Sequence, residues 1–168
     1  MLALLPYDRA AAVRYAHIWA YGRNPRYYDY ESIGGDCTNF ASQCIYAGAG
    51  VMNYTPTFGW YYINANDKAP AWTGVEYLHN FLTRRTPSVG PFAGEVPPER
   101  IRPGDIVQLS FDGIGWQHSP VVVAADRPRS YSDILVAAHS FDADDRPLST
   151  YEFVRARFLH IGGVYRQG

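Results

Sequence analysis

Lysine is nearly missing from this chain: Lys68 stands alone, and every other basic residue is arginine. With 15 Lys+Arg against 16 Asp+Glu, the formal net charge is −1. That balance lacks the basic footprint of a nucleic-acid binder, so no nucleic-acid partner is expected. Cysteine is scarce as well. Cys37 and Cys44 are the only two, too few for a disulfide framework. If they share one helix, their backbones are about 10 Å apart at ~1.5 Å per residue, beyond the ~7 Å reach of a disulfide, so both are expected as free thiols. No Cys-x-x-Cys or His-Glu-x-x-His pair is present, which removes the close-spaced ligand signature of common zinc sites; no cofactor and no metal are expected. Long apolar runs are absent. Met1-Leu2-Ala3-Leu4-Leu5 is too short for a signal-peptide core or a membrane span. The expectation is no integral membrane segment and a cytoplasmic chain as written, or a secreted or cell-wall-associated one if a leader has been removed. Repeats, low-complexity tracts and linkers are also lacking, so residues 1–168 read as a single domain.

What is abundant is aromatic: 15% of residues, including 14 Tyr and 4 Trp. That is more tyrosine than a small core absorbs, and it suggests that some rings line a groove. The chain is organised around Gly34-Gly35-Asp36-Cys37-Thr38-Asn39-Phe40-Ala41-Ser42-Gln43-Cys44. A Gly-Gly turn feeds a helix whose first turn carries the cap types Asp36 and Thr38, with Phe40, Ala41, Cys44 and Ile45 at helical spacing. Cys37 therefore sits at a helix N-terminus, where free N–H groups and the macrodipole favour an anion and lower a thiol pKa. The residue is a candidate nucleophile.

Before that stretch, Asp8 caps a helix from Arg9 to Tyr21 with Ala12, Tyr15, Ala16 and Trp19 inward, stopped by Gly22 and Pro25. After it, Val51 to Trp72 shows no period and reads as an aromatic binding loop; Trp60 and Tyr61 are its candidate groove residues, and Trp116 joins them from a later turn. Thr73 is expected to cap a helix from Gly74 to Arg85. Pro87 to Pro103 reads as loop. Strands are then predicted at 105–110, 118–125, 131–140, 151–158 and 159–165, with Asp142 to Pro147 a polar turn and Gly162-Gly163 a bulge. Helices first and an antiparallel meander afterwards make an α+β fold.

A thiol nucleophile needs a base and something to orient the base. His17, His79 and His160 lie within predicted elements and read as packing or surface residues. His118 opens a strand just after a Gly-rich turn, and His139 ends the next strand. If those strands pair as a hairpin, the two histidines come to one sheet end as base and orienter.

These residues carry a resemblance. Gly35-Asp36-Cys37-Thr38-Asn39-Phe40-Ala41-Ser42-Gln43-Cys44 resembles the nucleophile motif of the putative amidase domain family, a branch of the papain-like cysteine hydrolases near the NlpC-type and CHAP-type amidohydrolases. Arg102-Pro103-Gly104-Asp105-Ile106-Val107 resembles the strand before the histidine strand of NlpC-type enzymes, and His118-Ser119-Pro120 the base motif. The resemblance implies a papain-like fold, with the nucleophile at a helix N-terminus packed on an antiparallel sheet. It implies Cys37 as nucleophile, His118 as general base and His139 as the third catalytic residue, with Asp142 the alternative. It implies thiolate attack on an amide through an acyl-enzyme, with a peptide or peptidoglycan stem peptide as substrate. The oxyanion would be met by the Cys37 N–H and one of Tyr27, Tyr28, Tyr30 or Asn39.

Two other readings compete. Cys37, His118 and His139 could hold a catalytic zinc, or the Tyr/Trp loop could make the domain a non-catalytic peptide- or cell-wall-binding module. The oligomeric state is not written in the sequence.

Overall fold

The computed structural model describes residues 1–168. It is mixed α and β, with four helices on an antiparallel sheet. Strand β1 (Leu2–Leu5) is followed by helices α1 (Arg9–Trp19) and α2 (Cys37–Ala49). A small hairpin, β2 (Tyr62–Asn64) and β3 (Asp67–Lys68), leads to α3 (Pro70–Thr73) and α4 (Val75–Leu82). The rest is sheet: β4 (Gly90–Val96), β5 (Ile106–Ser110), β6 (Val121–Ala124), β7 (Leu135–Ala138), β8 (Ala143–Pro147) and β9 (Arg155–Gln167).

The seven-stranded sheet is built on β9. It pairs with β4 from Val96↔Phe158 to Gly90↔Tyr165, with β5 at Ile106↔Leu159 and with β1 at Leu4↔Tyr165. Because β4 shares residues of β9 with both β1 and β5, those two lie along its opposite edge. From β5 the order continues through β6, β7 and β8. The register against β4 skips Gly162, so the bulge expected at the glycine pair is present.

Helix α2 fills the centre. Eleven of its residues are buried, and α1 lies against it through Ala12 and Ala16. Close approach of the chain requires Gly48: a Cβ there would stand 2.6 Å from the Asp8 carbonyl oxygen and from the Tyr7 ring. Asp8 caps α1 as expected, accepting the Ala11 N–H at 3.0 Å.

Several expectations are corrected. The aromatic loop is not a groove wall at Trp60. That ring is fully buried, 4.9 Å from Trp72 and stacked at 5.9 Å on Phe81, and its Nε1–H donates to Ser42 Oγ. Large apolar rings gain more from removal from water than a loop gains from displaying them. The helix expected at Gly74–Arg85 is α4, which stops at Leu82. Its cap is Gly74 rather than Thr73, which ends α3. Strands β1, β4 and β8 stand where the sequence reads as terminus, loop and polar turn. The strands expected at 151–158 and 159–165 are one strand, β9. No helix is long and apolar enough to cross a membrane.

Candidate active site

The segment feeding Cys37 is set by a turn and a charge hub. Gly34 and Gly35 have φ of 90° and 101°, a region open to glycine, and a Cβ on Gly35 would meet Ser140 Oγ at 3.0 Å. Arg23 spans the preceding loop, with ion pairs to Asp29, Glu31, Asp36 and Asp142. Asp36 does not cap the helix with its side chain. Its Oδ1 instead accepts from the Tyr30 N–H at 2.8 Å and from Asn39 Nδ2 at 2.9 Å, and its Oδ2 faces His139 Nδ1 at 2.5 Å.

Cys37 opens α2 and is 8% exposed. Its Sγ is 3.8 Å from the Gln117 carbonyl oxygen and 3.7 Å from Thr38 Oγ1. Thr38 Oγ1 lies 3.3 Å from Ser119 Oγ, which accepts from Gln108 Nε2. The nucleophile candidate is thus packed against the stretch that carries His118, on both sides of that residue. The 111–117 turn holds this stretch in place. Asp112 Oδ1 accepts the N–H groups of Ile114 and Gly115, and the Phe111 N–H donates to Gln117 Oε1. His118 itself bridges to Leu109 of β5.

The electrostatics run against one expectation. Burial pushes the Cys37 thiol above its ordinary range, outweighing the lowering by hydrogen bonds from Thr38 and Ser119. Desolvation of a charge here exceeds what the helix N-terminus returns. Burial, and after it the positive Arg146, pulls the His118 imidazole down to about 4. At neutral pH the resting pair is therefore a thiol and a neutral imidazole. No hydrogen bond links the two; His118 packs between the rings of Phe111 at 6.2 Å and Tyr151 at 5.5 Å.

His139 does not orient His118. Its Nε2 lies 2.8 Å from the Trp19 carbonyl oxygen, its Nδ1 faces Asp36, and its ring stacks on Phe40 at 4.0 Å. The reason lies in where the pairing ends. β6 and β7 pair as Val121↔Ala137 and Val122↔Val136. That pairing stops short of both histidines, and the chain leaves strand geometry at Ser140 and Phe141, with φ of 60° and 65°, so pairing does not set the two rings side by side. Asp142 is no substitute, since its carboxylate is held by Arg23 on the surface. Of the oxyanion candidates, Asn39 is committed on both ends, to Tyr28 O, Asp36 and Trp72 Nε1. Tyr30 donates to Ala65 O, and Tyr27 is stacked on Trp72.

Beside His118 opens a cleft of about 720 Å³, with Phe111, Gln117, Phe141, Arg146 and Tyr151 in its walls. Trp60, Tyr61 and Trp116 are not among its lining residues; Trp116 is flanked instead by the guanidinium groups of Arg155 at 4.9 Å and Arg157 at 4.1 Å. Sequence reasoning passed over Arg146 and Tyr151, which sit in the stretch read as a turn and in the start of a strand. The Tyr151 hydroxyl is buried with no hydrogen-bond partner. Burial raises its pKa, Arg146 opposes, and a Cys37 anion would raise it further.

Cys37, His118 and His139 do not converge as a metal site. The one trio whose ligand atoms lie within 4.8 Å of one another is His17, Asp144 and Asp145, at the surface.

Residues 6–161 match the family described as "Putative amidase domain". The chain is 32% identical over 166 residues to the uncharacterized protein YhbB of Bacillus subtilis (strain 168), covering 92% of this chain and 50% of that protein. It thus spans about half the length of the curated relative it matches. No solved structure matches it.

Proposed function

The chain belongs to the Putative amidase domain family, and from that premise we propose that it is a cysteine-dependent hydrolase of amide bonds, acting on peptides or peptidoglycan stem peptides. One observation carries the reading. A thiol at the N-terminus of a buried helix packs against the Gln117–Ser119 segment, 3.8 Å from the Gln117 carbonyl, where that segment presents His118 to a cleft. A helix N-terminus abutting an antiparallel sheet in this way is also the arrangement that a papain-like fold requires.

The chemistry follows from the two protonation states. A neutral imidazole is the form that can accept a proton. As the Cys37 sulfur attacks the amide carbon, His118 takes the thiol proton, and a tetrahedral oxyanion forms. The Cys37 N–H, free in the first helical turn, donates to that oxygen; Tyr151, which lines the cleft and whose buried hydroxyl has no hydrogen-bond partner, supplies the second donor. The imidazolium then protonates the leaving amine as the C–N bond breaks. Water, deprotonated by His118, releases the acyl group from sulfur. The resting thiol and imidazole are not hydrogen-bonded, as is common before substrate closes a site.

For the binding-module reading, Trp60, Tyr62 and Trp72 of the aromatic loop are buried, while Tyr54 and Phe58 remain exposed. The deciding experiment is hydrolysis of a stem-peptide panel by wild type, Cys37→Ala and His118→Ala. Turnover by wild type alone is expected; equal turnover by Cys37→Ala overturns the proposal.

A further inference from the structure

Arg146 is the one guanidinium in the wall of the His118 cleft. It sits on β8 opposite Val136 of β7 and is half-buried. Arg9, Arg23 and Arg157 each face a carboxylate; Arg146 faces none. Its Nε donates to Thr150 Oγ1 at 2.7 Å and its Nη2 to the Thr150 carbonyl at 3.0 Å. Its guanidinium carbon lies 3.6 Å from the centre of the Tyr151 ring. Two donors and a stacked face fix the plane of the fork, and Nη1 makes no hydrogen bond. Glu152, the only carboxylate in the lining, is exposed and makes no ion pair with it.

A half-buried cation with a fixed orientation and no counter-ion is a receptor for a planar anion. The geometry points to Arg146 as a specificity-determining residue that anchors a carboxylate of the substrate, so that the preferred amides are those of acidic peptides or of peptides with a free carboxylate near the scissile bond. The inference rests on the thiol-hydrolase reading for the identity of the reacting group. It also gives the site a way to respond to its substrate. The uncompensated Arg146 charge helps to hold His118 low. A carboxylate bound to Arg146 cancels that field and makes His118 a stronger base while that substrate is present.

The test uses matched alkylating probes on the full chain at pH 8.5: iodoacetyl-glycine, iodoacetyl-β-alanine and iodoacetyl-γ-aminobutyrate, each against its carboxamide. Cys37 labelling is read by mass spectrometry in wild type, Arg146→Gln and Arg146→Lys. For the best-fitting length, the rate ratio of carboxylate to carboxamide should fall about tenfold in Arg146→Gln, the loss expected of a charge-assisted hydrogen bond. Arg146→Lys should recover part of it, because charge remains without the fork. The carboxamide rate reports that each variant is folded. An unchanged ratio at every length overturns the anchor and leaves amide hydrolysis to be decided by Cys37→Ala. No labelling of Cys37 by any probe shows a sealed thiol and overturns the anchor as well. Turnover unaffected by Cys37→Ala overturns the hydrolase reading while the ratio still reports on Arg146.

Discussion

His139 is held at both ring nitrogens: Nε2 donates to the Trp19 carbonyl at 2.8 Å, and Nδ1 lies 2.5 Å from Asp36 Oδ2. A carbonyl can only accept, and Oδ1 of the same carboxylate already takes two N–H donors. The pair is buried, 1% and 0% exposed. It fastens the end of β7 to the residue before Cys37.

His139→Gln leaves buried Asp36 with its Tyr30 and Asn39 hydrogen bonds and with Arg23 3.7 Å away. Removing the partner of a buried hydrogen-bonding group costs roughly 1–3 kcal/mol, measurable by urea unfolding. Because His139 acts on the helix start and not on the imidazole of His118, the variant should lower the height of the pH–activity profile without moving its limbs. A shifted limb would show that His139 acts on the reacting pair directly.

His118 makes the fold acid-sensitive. In the unfolded chain it takes up a proton near 6.5, but in the fold only near 4. Between those values the unfolded state binds more protons, so stability falls as pH drops through 6.5 and levels below 4. The loss is about 3 kcal/mol at most. Unfolding curves for His118→Asn should lack this part of the acid decline. An identical decline in the variant would assign the loss to other groups.

The Cys37 helix was readable because cap types, helical spacing and terminal glycines agree with one another there, and α1 was readable for the same reason. Strand β4 was not: Gly90, Pro91 and Gly94 mark it as loop, yet on the edge of the sheet proline removes no needed donor. β8 was missed because Asp144, Asp145 and Arg146 are polar, as an edge strand permits. Chain order correctly brings β6 and β7 together, but His118 and His139 lie outside their paired residues, so pairing alone does not place the rings. Trp60 looked like a groove residue because composition counts rings without saying which side of a loop they occupy.

The buried placement of Trp60 has a direct consequence. Trp60→Ala empties a site between Trp72 and Phe81 and should cost about 3–5 kcal/mol. Tyr61, half-exposed and 5.7 Å from Tyr54, should lose less than about 1 kcal/mol on truncation to Ala. Equal, small losses would return Trp60 to a surface role.

The raised Cys37 thiol sets a pH signature. Alkylation by iodoacetamide should be slow at pH 6 and climb through the ordinary thiol value of ~8.5 without reaching a plateau there. Cys44, fully buried, should stay unlabelled. A plateau at pH 6–7 would reveal a preformed thiolate–imidazolium pair, and the attack would then begin from an ion pair instead of a neutral one.

Tyr151 separates stability from catalysis. Its hydroxyl is buried and unpaired, so Tyr151→Phe removes an unsatisfied group and should leave stability unchanged or slightly raised. A hydroxyl that serves the fold would do the opposite. If it meets the oxyanion, its loss withdraws a donor needed only in the transition state, worth roughly 10²-fold or more in kcat, with KM little changed. The ring that Arg146 covers is retained in phenylalanine, so the anchor for the substrate carboxylate should survive and the iodoacetyl-probe ratio should stay at its wild-type value. A fall in that ratio, or a rise in KM with kcat intact, would make Tyr151 a binding residue and leave the second oxyanion donor to be sought elsewhere.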